Sequence, residues 1–251
     1  METPDEQRRP MSNASPQRTF LVCHGAWGGG WSWKKVHPLM RAAGHRLLTP
    51  TYTGLGERAH LANPAIDLET HIDDVLNVIR YEDLHDIVLL GHSYGGMVAT
   101  GVADRARDCI AQLIYLDAFV PGDGQCLLDF LPESERQRMR EGAAAGDGWR
   151  IPPNPTPADT PPADLEWLKA RRVPMPLKCF ETSLKLTHGE TRLPRSYVYA
   201  TRMAPTDVFG QFAKRARSEA GWRYFEIDAS HSPGVTAPDA LMALLQEIVA
   251  G

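Results

Sequence analysis

Short strand-like runs alternate with helical stretches along this chain, an order met by a parallel sheet with helices on both faces. The runs are Arg18–Cys23, Arg46–Thr49, Asp86–Leu90, Gln112–Leu116, Ser196–Ala200 and Trp222–Ile227. Helical patterns fall at about Trp31–Ala43, Leu68–Leu84, Tyr94–Arg107 and Pro238–Val249. In the second of these, Ile72, Val75, Leu76 and Ile79 recur at the spacing of one helix face.

One stretch breaks the rhythm. From Pro121 to Pro194 no strand pattern is visible, prolines and glycines are dense, and Leu127–Glu141 and Pro162–Arg171 read as helices. The expected organisation is therefore a core formed by 18–120 and 195–251, with a helical cap inserted over 121–194. Residues 1–17 are polar and read as a disordered tail with no apolar signal segment.

Composition narrows the functional class. A net charge of −4 offers no basic face for nucleic acid or an anionic membrane. No apolar run approaches the roughly 20 residues of a membrane span. Cys23, Cys109, Cys126 and Cys179 show no paired spacing for zinc, and are expected to be reduced thiols of a cytoplasmic protein. Neither a metal nor an organic cofactor is expected, and the chain is expected to be a monomer or a homodimer.

The chemistry is concentrated in Gly91-His-Ser-Tyr-Gly-Gly96, directly after the Asp86–Leu90 run. At a strand-to-helix corner the apex residue is held in a strained conformation, and the flanking glycines remove side chains that would collide. Ser93 Oγ then stands above the C-terminal sheet edge, at the N-terminus of the following helix, placed to act as a nucleophile. After the first strand comes His24-Gly-Ala-Trp-Gly-Gly-Gly30, a loop whose Ala26 N–H, with that of Tyr94, forms an expected oxyanion hole. Of the nine histidines, His231 follows the last strand and precedes the final helix, so it reaches the same edge and is the expected base. His92, beside the nucleophile, is read as a packing residue.

Together Cys23–Trp27, Gly30–Trp33, Thr51–Arg58, Gly91–Gly96 and Leu116–Pro121 resemble the α/β-hydrolase superfamily. Within it, the resemblance is to a subgroup of bacterial carboxylesterases, plant methylesterases (the salicylic-acid-binding protein among them) and plant hydroxynitrile lyases. It implies a hydrolase core with a helical cap and a serine carboxylesterase acting through an acyl-serine. Two alternatives accompany it: a C–C lyase and a ligand-binding receptor with little turnover. The lyases carry a threonine and a lysine where this chain has Gly25 and Ser232, which favours the esterase.

The resemblance leaves the triad acid open. The plant relatives place an aspartate just after the strand matching Ser196–Ala200, where this chain reads Thr201-Arg-Met203. Asp117, after the strand beside the nucleophile strand, is the expected acid, and Asp207 the alternative. The expected pocket wall combines Gly25, Trp27 and Tyr94 with the cap residues Leu128, Phe130, Trp149 and Trp167. That wall suits a small to medium hydrophobic or aromatic ester.

Overall fold

The computed structural model describes residues 17–202 and 206–251. The expected tail, but for Gln17, and Met203 lie outside them. In chain order the elements begin with β1 (Thr19–Cys23), α1 (Val36–Ala42), β2 (Arg46–Leu48) and α2 (Leu68–Tyr81). They continue with β3 (Ile87–His92), α3 (Gly95–Arg105) and β4 (Ile110–Leu116). After a long insertion come β7 (Arg195–Ala200), α7 (Gly210–Ser218), β8 (Trp222–Ile227), α8 (Pro233–Thr236) and α9 (Pro238–Ala250). The insertion holds α4 (Glu133–Ala145), β5 (Arg150–Ile151), α5 (Pro162–Lys169), β6 (Met175–Pro176) and α6 (Lys178–Glu181).

Six strands form one sheet in the order β2-β1-β3-β4-β7-β8, all parallel. Alternation along the strands explains how it is covered. Leu21, Cys23, Ile87 and Leu89 point to the face packed by α2, α3 and α7, where Ile72, Val98 and Phe212 are buried. Phe20, Val22, Val88 and Leu90 point to the opposite face, against Val36 and Met40 of α1 and Leu241 and Leu245 of α9. Because both faces are buried, the central strands are apolar throughout rather than alternating with polar residues. This is an α/β-hydrolase fold.

Local boundaries differ from the sequence reading where tertiary contacts intervene. The helix expected from Trp31 begins as a 3-10 turn, Gly30–Trp33, before α1. The Gly30 N–H donates to Thr51 Oγ1 at 2.8 Å, and a Cβ there would fall on the Thr49 carbonyl. Pro132 divides the expected Leu127–Glu141 helix into a 3-10 turn, Leu127–Phe130, and α4. The insertion, expected to lack strands, contains the antiparallel pair β5–β6, with Ile151 opposite Met175 and both buried. A two-residue pair is too short to leave a periodic signature.

Candidate active site

Ser93 follows β3 with φ +57°, in the left-handed region that a residue with a side chain adopts only under constraint. The constraint is local packing. The Ser93 N–H donates to the Leu116 carbonyl at 3.3 Å, and its own carbonyl accepts from the Gly96 and Phe119 N–H groups. A Cβ on Gly95 would fall on the Cys23 carbonyl, and one on Gly96 on the Phe119 carbonyl. The two glycines therefore let α3 start tightly against β1 and the turn after β4.

Asp117 is the next residue after β4 and also has positive φ, +43°. Its N–H donates to Val198 O at 2.7 Å, and its Oδ1 accepts from the Ala200 N–H at 3.3 Å. Both bonds tie it to β7, and they leave Oδ2 facing His231. His231 stands between the carboxylate and the serine. Its Nδ1–H donates to Asp117 Oδ2 at 2.6 Å, and its Nε2 accepts from Ser93 Oγ at 2.9 Å. The carboxylate accepts at Nδ1, so the lone pair of the neutral ring lies at Nε2, toward Ser93. Phe209 stacks on the imidazole, with ring centroids 4.8 Å apart.

Asp207 lies elsewhere. Its Oδ2 accepts from Tyr199 O–H at 2.8 Å, while Oδ1 accepts from the N–H groups of Phe209 and Gly210, at the start of α7. Those bonds make it a cap of that helix.

Ala26 and Tyr94 flank the serine, and among the described residues no backbone acceptor takes either N–H. The supports of both lie in buried histidines. His24 accepts the Tyr52 N–H at Nε2 and donates Nδ1–H to Gly25 O at 2.8 Å, fixing the loop that carries Ala26. His71 donates to Thr53 O and accepts from Tyr94 O–H at 2.9 Å. Burial pushes both imidazoles down to about 4, so both stay neutral near pH 7. Trp27, with φ +61°, joins this loop to the insertion: Nε1–H donates to Ile151 O and its carbonyl accepts from the Val173 N–H.

A cavity of about 890 Å³ opens onto Ser93 and His231. Gly25, Ala26, Trp27 and Tyr94 line it. Trp149 and Trp167 do not. Trp149 stacks under the Arg150 guanidinium, and Trp167 meets Trp31 edge-on at 5.0 Å. Leu128 and Phe130 pack inward as well, Phe130 against Phe119 and Phe212. A short helix exposes different faces to core and cavity, and the one-dimensional pattern does not say which. The wall is completed instead by Phe119, Leu127, Leu131, Leu168, Phe180 and Phe209.

His92 packs against Trp33, as expected, and makes a polar contact as well. Nε2–H donates to the backbone carbonyl of His231 at 2.6 Å. Among the described residues no cluster of side chains could hold a metal ion, and no helix is long and apolar enough to cross a membrane.

The sequence profile of the alpha/beta hydrolase family matches residues 20–244. The chain is 41% identical over 232 residues to the carbendazim hydrolyzing esterase of Nocardioides sp. (strain SG-4G), covering 88% of this chain and 96% of that protein. It is 32% identical over 122 residues to methylesterase 2 of Arabidopsis thaliana, which covers 44% of this chain and 43% of the relative. Among solved structures, an extracellular alpha/beta-hydrolase from a Paenibacillus species superposes with a TM-score of 0.81 at 26% identity. That match covers 92% of this chain and 98% of the other, which is described as sharing structural and functional homology with tobacco salicylic acid binding protein 2.

Proposed function

The chain belongs to the alpha/beta hydrolase family, and from that premise we propose how this serine esterase, a carboxylic ester hydrolase, carries out its reaction. Ser93 Oγ attacks the ester carbonyl while His231 Nε2 takes its proton, and Asp117 holds the Nδ1–H and stabilises the imidazolium. The N–H groups of Ala26 and Tyr94 receive the charge that develops on the carbonyl oxygen. His231 then returns the proton to the departing alcohol, leaving an acyl-Ser93. A water activated by the same imidazole releases the acid and restores the serine. The observation that carries this reading is the single imidazole bridging Asp117 at 2.6 Å and Ser93 at 2.9 Å.

The substrates in this reading are small to medium hydrophobic or aromatic carboxylic esters, in keeping with the apolar wall of Trp27, Phe119, Leu127, Leu131, Phe180 and Phe209. The names of the relatives add methyl esters and carbendazim to the panel to be assayed. Residues 121–194 act as a cap over the core of 18–120 and 195–251, which agrees with Arg138, Asn154, Leu168 and Phe180 lining the cavity. Neither metal nor organic cofactor enters the scheme. A cytoplasmic location belongs to the same reading, in keeping with four unpaired cysteines, and so does a monomer or homodimer.

The test combines intact mass with kinetics. A burst with p-nitrophenyl butyrate and a trapped acyl adduct on Ser93 are expected, and Ser93→Ala should lower kcat on the order of 10⁴–10⁶-fold. Near wild-type turnover by Ser93→Ala would remove the nucleophile from the scheme. Binding without turnover by the native protein would favour a receptor, and release of a carbonyl compound from a cyanohydrin a lyase.

A further inference from the structure

The geometry points to Arg172 as a residue of the active-site cavity that selects esters carrying a second, anionic group, a carboxylate, apart from the scissile ester. This rests on the esterase reading for the position of the reacting carbonyl, but the contact itself is testable by binding alone.

Three arginines line the cavity: Arg138, Arg172 and Arg202. Two are neutralised. Arg138 pairs with Glu135 at 2.8 Å and donates to Asn154 Oδ1. Arg202 grips Asp228 with two nitrogens and reaches Asp159 at 3.7 Å. Arg172 differs, because no carboxylate among the described residues forms an ion pair with it. Its guanidinium lies over the Trp27 ring, 5.6 Å from the centroid, and Nη1 donates to Asn154 O at 2.6 Å. A single carbonyl leaves most of the five N–H donors uncommitted.

The cavity's own carboxylates are engaged elsewhere. Asp117 holds His231, Glu135 and Asp159 hold the other two arginines, and Asp207 accepts from Tyr199 and from the start of α7. Burial lowers the Arg172 pKa, which is the direction of a cation short of water and without a counter-charge. Such a group gains most from a ligand that brings a planar anion, since a guanidinium fork matches a carboxylate in two parallel bonds.

Its position also sets where that anion lies. Arg172 packs on Trp27, which follows the Ala26 donor in sequence, and Val173 N–H bonds the Trp27 carbonyl. The anion therefore sits on the insertion side of the oxyanion loop, in a cavity whose wall also carries Leu168 and Phe180. An aromatic half-ester, with its ring on Phe180 and Leu168, presents this combination.

The experiment uses a matched pair, monomethyl terephthalate and methyl 4-toluate, which differ by a carboxylate in place of a methyl group. Binding of each to Ser93→Ala is measured by calorimetry, and kcat and KM are measured on the native protein. The carboxylate-bearing ester should bind about tenfold or more tightly. Adding Arg172→Met should abolish that preference, chiefly through KM in the active enzyme. Arg172→Lys, which keeps the charge but not the planar fork, should retain part of it. Should Arg172→Met fail to fold, the native pair and the lysine variant still decide. Equal binding of the two esters by Ser93→Ala overturns the assignment. So does a loss in Arg172→Met that is equal for both esters, which would make the residue only a clip on Asn154 and Trp27. Failure of turnover with retained selective binding would count against the esterase reading, not against this one.

Discussion

His92 donates its Nε2–H to the carbonyl oxygen of His231 across 2.6 Å, so the residue before the proposed nucleophile holds the backbone of the proposed base. Trp33 meets the His92 ring edge-on at 6.3 Å. The imidazole of His231 is thus set twice, by Asp117 at its ring and by His92 at its main chain. His92→Ala should lower kcat about 10–100-fold with little change in KM, because a misplaced base costs rate rather than ground-state binding. His92→Gln, whose amide N–H can reach the same carbonyl, should recover part of the loss. Equal activity in wild type and His92→Ala would show the bond to be incidental.

The buried histidines predict how stability varies with pH. Burial lowers His24 and His71 to about 4, and burial together with His231 lowers His92 to about 3. In the unfolded chain all three titrate near 6.5. The unfolded state therefore binds more protons between these values, and acid favours unfolding. Their contribution should be fully present above about pH 6.5 and be lost progressively as pH falls toward 4 and 3. Urea melts from pH 7.5 to 4 should show a falling midpoint with proton uptake on unfolding. His71→Asn should flatten the slope, and an unchanged slope would count against a buried neutral His71.

Asp117→Asn should reduce kcat by about 10³–10⁴-fold, since an amide can donate to Nδ1 and stabilise the wrong tautomer. The fold should survive, because Asn tolerates the φ of +43° at that position. Asp207→Ala should show the opposite profile: a stability loss of about 1 kcal/mol from the missing α7 cap, and nearly native kcat. Parallel kinetics and thermal melts on the two variants check the assignment.

The glycines separate packing from chemistry. Gly95→Ala should prevent native folding or cost several kcal/mol, because its Cβ would fall on the rigid Cys23 carbonyl. At Gly25 a Cβ would lie 3.1 Å from His92 Nδ1 and 3.2 Å from Ser93 Cβ, so the neighbour that must shift is the site itself. Gly25→Ala should therefore lose activity out of proportion to stability. A related comparison tests the strain at Ser93: Ser93→Gly should be more stable than Ser93→Ala by about 1–2 kcal/mol, as expected for a left-handed residue.

What the sequence determines by itself depends on how local each physical cause is. The alternation of strand-like and helical runs, apolar on the central strands, gives the doubly covered parallel sheet, because a strand buried on both faces has no other composition to show. Gly91–Gly96 announces its own corner, since the glycines that give the room lie within three positions of Ser93, although the Cys23 and Phe119 carbonyls they make room for are distant in sequence. His231 follows the last strand in sequence, and its ring lies 2.9 Å from Ser93 Oγ. Residue type and position favour Asp117 over Asp207 as the proposed acid without fixing where either carboxylate points. That direction is tertiary: Asp117, bonded to Val198 and Ala200, faces the imidazole, while Asp207 accepts from the start of α7. The same distinction explains Trp149 and Trp167, Leu128 and Phe130, which sit where expected in the chain but face away from the cavity. Nor did the sequence reveal His92 at the His231 carbonyl, or Arg172 left without a carboxylate beside its two paired neighbours. Local periodicity and backbone sterics are carried by neighbouring residues. The direction of a side chain, and the partner it meets 50 or 100 residues away, exist only once the sheet and the insertion have closed around one cavity.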